Sequence, residues 1–234
     1  RCRARAIPMN SLWRRAAWVR VAPFAIFIAL LWVRAHAPDW LPADFDVRWL
    51  YGVQAFLVAL MLLVLRREYG ELVGQLAPSA RQAITAIAVG LGVFALWITL
   101  DAPWMVLGEP AAGFVPVDAQ GSVEWPLVAL RVAGAALVVP VMEELFWRSF
   151  LMRWVDDPAF ESVAPGAVST KALVVSTFLF VLVHTQWLAA AIAGLAYAWL
   201  YMRTGRLWTA IIAHAVTNAA LAAWVLATRQ WSYW

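Results

Sequence analysis

Cysteine is nearly absent: Cys2 is the only one in 234 residues, which rules out an internal disulfide and a thiolate metal cluster. Charge is scarce as well. Asp, Glu, Lys and Arg make up 14% of the chain and hydrophobic residues 64%, where a soluble domain carries roughly a quarter charged residues. With a mean hydropathy of +0.73, that balance argues against a water-soluble monomer. The net charge of +4 comes from arginines scattered at the ends of apolar segments. Such scatter marks membrane anchors and not a phosphate-tracking patch, so no nucleic-acid partner is expected. Also missing are a His-Glu-x-x-His, a Gly-x-Ser-x-Gly and aspartates paired within apolar segments, which disfavours the hydrolytic designs built on them. The two halves show no internal repeat, a feature many transporters have.

What is present is a series of apolar segments of roughly membrane-spanning length. Seven crossings are expected, at 16–33, 49–65, 83–100, 125–152, 170–186, 188–203 and 206–227. The fold class is therefore all-α, a polytopic transmembrane helical bundle. It divides into a basic N-terminus (1–15), N-terminal crossings with an acidic loop (16–124), a polar-bearing core (125–227) and a short tail (228–234). Between Lys171 and Arg203 no residue carries formal charge, so one long tilted helix or two short ones would fit. Charge bookkeeping favours two, broken near Thr185-Gln186-Trp187. With a cytoplasmic N-terminus, Arg1, Arg3, Arg5, Arg14 and Arg15 lie inside, and so do Arg66, Arg67, Arg81, Arg153, Lys171, Arg203 and Arg206. The 101–124 loop, with Asp101, Glu109, Asp118 and Glu124, then lies outside.

Many of the 16 tryptophans stand at expected helix ends, among them Trp40, Trp49, Trp104, Trp125, Trp154, Trp187, Trp208, Trp231 and Trp234, and read as an interfacial belt. Ala190, Gly194 and Ala198, four residues apart, let the sixth helix approach a neighbour closely. Arg14-Arg15, an apolar run and Ala35-His36-Ala37 have the outline of a signal peptide. The run is long and Pro38 follows the cut, so an uncleaved first crossing is expected.

Ionisable groups inside a bilayer are costly, and each is by default a functional hypothesis. Here they cluster: Glu143, Glu144 and Arg148 on the fourth segment, His184 on the fifth, His214 and Asn218 on the seventh. At a rise of about 1.5 Å per residue, these positions lie roughly 12–20 Å from the cytoplasmic ends of their helices, one layer near mid-membrane. Those depths point to substrate entry from the cytoplasmic side. Glu144 and Arg148 are i and i+4 and can pair; Glu143 points about 100° away, free for another helix or a water, where it suits general-base work. His214 and Asn218 also share one helix face, and Phe180 stands one turn before His184 as a wall beside the ring. Alone, a buried His or Asn reads as interhelical glue. Taken together, Glu, His, His and Asn at one depth on three helices read as a site. Arg131 either snorkels to outer headgroups or receives a substrate's negative charge, and Pro140 removes a helical hydrogen bond just before Glu143, freeing a carbonyl.

Glu143-Glu144-x-x-x-Arg148, Phe180-x-x-x-His184 and His214-x-x-x-Asn218, in that order on successive apolar segments, resemble the CAAX prenyl protease and bacteriocin-processing (CPBP, or Abi) family of intramembrane proteases. The resemblance covers roughly 125–227, including Gly194-Leu195 and the Thr204-Gly205-Arg206-Leu207-Trp208 turn. The first 120 residues are similar only in length and Trp content to the exosortase-associated subgroup. The resemblance implies an endopeptidase of the bacterial inner membrane acting on a membrane-associated protein or peptide. Glu143 and His184 would activate water, His214 and Asn218 would stabilise the oxyanion, and Glu144, Arg148 and Phe180 would support them. This division fits amide hydrolysis, which needs a base for the water and donors where negative charge develops. No cofactor is required by it; a zinc ion on Glu143, His184 and His214 is the competing account, disfavoured because Asn is a poor zinc ligand. The rivals from other classes are a non-catalytic membrane scaffold or immunity partner, and a proton-coupled transporter using Glu143 and the two His as a relay.

Overall fold

The computed structural model describes residues 15–42, 44–74, 77–108 and 113–234; Cys2, Arg1, Arg3, Arg5, Arg14 and Glu109 lie outside them. The helices are α1 (Arg15–His36), α2 (Trp49–Val64), α3 (Ala80–Trp97), α4 (Trp125–Trp154), α5 (Thr170–Val181), α6 (Trp187–Thr204) and α7 (Leu207–Thr228). A one-turn helix, Gly70–Val73, precedes α3. Among the described residues there is no strand, only a single bridge between Val117 and Val123, so the class is all-α. Among the described residues four helices are long and apolar enough to cross a membrane: α1 with the turn after it, α3, α4 and α7; α2 and α5 are shorter apolar helices.

The stretch after Lys171 is two helices, as charge bookkeeping favours. The fifth is shorter than 170–186, ending at Val181. Beyond it the backbone serves other segments: the Thr185 carbonyl accepts from Leu107 N–H at 2.7 Å, and Gln186 Nε2 donates to the Trp97 carbonyl at 2.9 Å. Local chemistry sets the other ends. Ser79 and Gln82 form a capping box before α3, Ser169 caps α5, and α6 stops where Gly205 takes the left-handed conformation at φ +67°.

Small residues bring the helices that carry the site together. A Cβ on Gly90 of α3 would run into the Ala213 carbonyl oxygen of α7 and lie 2.9 Å from Val216 Cβ. In that contact Thr217 Oγ1 donates to the Gly90 carbonyl at 2.9 Å. Gly90→Ala is therefore expected to cost about 1–3 kcal/mol by forcing α3 off α7. Thermal unfolding in detergent should show the loss, with Gly92→Ala, whose Cβ meets nothing within 4 Å, unchanged. At Gly194 a Cβ would sit 3.1 Å from Thr177 and 3.3 Å from Phe180, so the small-residue stripe on α6 serves packing against α5.

A second polar cluster ties α1, the one-turn helix and α4 at the end where α1 begins. Arg20, only 2% exposed, grips Glu71 with two hydrogen bonds of 2.8 and 2.6 Å, and Ser149 Oγ donates to the same carboxylate. Arg153 donates to the Ser149 carbonyl at 2.6 Å and its Oγ at 3.0 Å. Nearby, the 155–169 loop is closed by Asp156, which accepts from Ser169 N–H at 2.7 Å and Oγ–H at 2.5 Å. Those bonds hold the Asp156 carboxyl below the usual carboxylate range. A depressed folded-state value means the closure is complete above the ordinary Asp range near pH 3.8 and is lost as pH falls through the lower, folded value. Hydrogen exchange in residues 156–169 should rise in that acid window, and Asp156→Asn should remove the rise.

Candidate active site

α4 is not a regular α-helix. Two π stretches, Gly134–Val138 and Leu145–Leu151, flank the short α-helical piece Val139–Glu144 that presents both glutamates. π-bulges of this kind concentrate at functional sites because they re-aim side chains. The first has a local cause. Val139 N–H reaches back to the Gly134 carbonyl, and Pro140, next in that wide register, has no N–H to give Ala135. The freed Ala135 carbonyl accepts Asn218 Nδ2 from α7 at 2.8 Å. Asn218 therefore ties α7 to the α4 distortion just upstream of the glutamates.

Glu144 is the hub. Its side chain is fully buried, Arg148 donates to Oε1 at 3.2 Å and pairs with Oε2 at 3.2 Å, and His214 Nδ1 lies 2.8 Å from Oε1. The carboxylate thereby fixes the His214 ring with its proton on Nδ1. Tyr197 stacks on the same ring at 5.1 Å and 16°, and its hydroxyl donates to Thr217 Oγ1 at 2.8 Å. Arg148 donates in turn to the Gly194 carbonyl at 3.3 Å and lies over the Phe180 ring at 4.7 Å. Glu144, Arg148, His214 and Phe180 thus form one network across α4, α5, α6 and α7.

Glu143 stands outside that network. It is 9% exposed, and its Oε2 is buried with no hydrogen-bond partner. A buried carboxylate oxygen left without a partner is costly. Glu143, His214 and Arg148 all lie within electrostatic reach of His184.

His184 lies in the turn between α5 and α6 and not inside a helix. The i, i+4 relation to Phe180 survives: the rings meet at 4.4 Å, and Nδ1 lies 2.7 Å from the Phe180 carbonyl. A carbonyl only accepts, so Nδ1 carries the proton and Nε2 of the neutral ring keeps its lone pair. His184, Thr185 and Gln186 line a cavity of about 510 Å³ together with Trp97, Asp101 and Tyr233. This cavity is at the end of the bundle bearing the 101–124 loop and the C-terminal tail. In the expected orientation that end is the outer one, whereas the depths counted along the helices pointed to cytoplasmic entry. Depths counted along unbroken helices missed the end of α5 at Val181.

The four candidate residues are thus gathered in one region but not joined into one contact set. Among the described residues, no three His, Cys, Asp or Glu side chains form a group that could hold a metal ion. Sequence reasoning missed Tyr197 and Thr217, whose only signal was a polar atom on an apolar helix. It also missed Arg20 and Glu71, where an arginine inside an apolar run was the available clue.

Residues 125–220 match the family model described as type II CAAX prenyl endopeptidase Rce1-like. No curated protein and no solved structure matches the chain.

Proposed function

We propose, from the match of residues 125–220 to the Rce1-like endopeptidase family model, that this integral membrane protein hydrolyses a peptide bond with water activated by Glu143 and His184. The observation that carries the reading is the buried, unpartnered Oε2 of Glu143, beside a Glu144 whose charge is already met by Arg148 and His214. Two adjacent carboxylates in such different surroundings suit different tasks. Glu143 takes the proton of the attacking water, and His184, with Nδ1 held by the Phe180 carbonyl, offers Nε2 as the second acceptor. Negative charge then develops on the carbonyl oxygen of the scissile bond. His214, anchored by Glu144, supplies Nε2–H to it when doubly protonated, and the Asn218 amide supplies a second donor after leaving the Ala135 carbonyl. The proton on Glu143 passes to the leaving amine, which restores the carboxylate.

The substrate is a membrane-associated protein or peptide that reaches His184 through the cavity beside Trp97 and Tyr233. The N-terminus is cytoplasmic, and the membrane is the inner membrane of a bacterium. The test uses membranes containing the expressed protein in water enriched in ¹⁸O. Direct water attack places one ¹⁸O in each new C-terminal carboxylate, and His184→Ala at matched abundance should produce no new termini. A chelator that strips zinc should leave the rate unchanged. Termini formed without ¹⁸O, or formed equally by His184→Ala, would remove the reading.

A further inference from the structure

A different pair of cations stands at the opposite end of the bundle from Arg20 and Arg153. Arg34 is two residues from the end of α1, Tyr51 is in the first turn of α2, and Arg131 is in the second turn of α4. Both guanidiniums lie against the same ring: Arg34 Cζ is 5.1 Å and Arg131 Cζ 4.7 Å from the Tyr51 centroid. The ring is 1% exposed. It can sit there because residue 134 is glycine, whose added Cβ would come within 2.8 Å of Tyr51 Cζ. Gln54 orients the first arginine, accepting from Arg34 Nη1 at 2.8 Å while donating to the Phe27 carbonyl at 2.7 Å.

Neither arginine has a carboxylate within 4 Å among the described residues, and Arg131 Nε is buried without a hydrogen-bond partner. The nearby acids are already taken, since Arg48 pairs with both Asp46 at 2.8 Å and Glu124 at 2.5 Å. Two like charges within electrostatic reach of one another and partly removed from water repel, and a shared aromatic face offsets only part of that cost. The arrangement suits an anion. Its depth says which. Trp32, Trp49 and Trp125, on the same three helices, are 58%, 44% and 66% exposed, and exposed indoles collect at the headgroup level of a bilayer.

We propose that Arg34 and Arg131, braced by Tyr51, form a binding site for the headgroup phosphate of an anionic phospholipid. Planar guanidiniums suit phosphate because several N–H donors converge on its oxygens. A lipid held there pins the ends of α1, α2 and α4 together. The site is separate from the glutamates and does not depend on the proposed hydrolysis.

The test is native mass spectrometry of the full chain in a mild nonionic detergent with added phosphatidylglycerol, diacylglycerol of the same chains, or inorganic phosphate. One phosphatidylglycerol per chain should be retained, with diacylglycerol and inorganic phosphate each at least tenfold weaker. Arg34→Gln with Arg131→Gln should cut phosphatidylglycerol retention at least tenfold. Arg66→Gln with Arg67→Gln, which removes the same charge from two exposed positions, should not. Should the double variant fail to fold, Arg131→Gln alone and the wild-type comparison of the three probes decide. Equal retention by the variant, equal loss in the Arg66 and Arg67 control, or equal binding of diacylglycerol would overturn the proposal. Equal binding of inorganic phosphate would assign the site to a free anion and overturn the lipid.

Discussion

Glu143→Gln should lower the rate of peptide hydrolysis by about 10²–10⁴, the usual contribution of a positioned general base, and leave the protein as stable as wild type. Both halves of that expectation come from the same atom. Glu143 Oε2 has no hydrogen-bond partner, so the amide breaks nothing there, while it cannot accept the proton of the attacking water. Initial rates on a substrate peptide, set beside thermal midpoints in the same detergent, check the two halves separately. A large drop in midpoint would make Glu143 a structural residue, and a rate within threefold of wild type would remove it as the base.

The adjacent Glu144 should behave in the opposite way. Glu144→Ala removes the partner of Arg148 and of His214 at once and strands a guanidinium that is only 2% exposed. Breaking a buried pair from one side typically costs about 3–5 kcal/mol, enough to deplete the folded protein from membranes. Replacing the pair as a unit is a different matter, because apolar side chains of similar volume avoid the desolvation of both charges. Glu144→Met with Arg148→Met should therefore recover much of the lost stability. It should not recover hydrolysis, since the His214 ring would have lost its anchor. Thermal midpoints of the single and double variants, with rates alongside, separate the two roles. A stable Glu144→Ala protein would contradict the network described here.

How legible this was in the sequence depended on whether chemistry or tertiary contact set the feature. The all-α class and the two-helix reading of 172–202 followed from hydropathy and the placement of arginines, which act locally. Glu144 with Arg148 followed from i, i+4 geometry, and it holds even though the π stretch begins at Leu145. Proline at 140 predicted a free carbonyl; that Asn218 takes it needed the packing of α7 on α4. The early end of α5 was hidden for the same reason. Thr185 and Gln186 leave the helix because Leu107 and Trp97, far away in the chain, claim their hydrogen bonds. His214 choosing Glu144 over Glu143 is likewise a matter of helix rotation, which two neighbouring glutamates do not reveal in sequence. Arg20, Glu71 and Ser149 come together from positions spread over more than half the chain, and no local pattern announces them.

The central claim is that this chain cuts peptide bonds with Glu143 as the base. The most direct measurement is terminal-peptide mass spectrometry on membranes of cells expressing wild type beside Glu143→Gln at matched abundance, in the proteome of the native host. New termini that appear with wild type and are absent with Glu143→Gln are the predicted result, and they name the substrate as well. Identical termini from two folded proteins would contradict the claim and favour a membrane scaffold that keeps its polar cluster for helix packing.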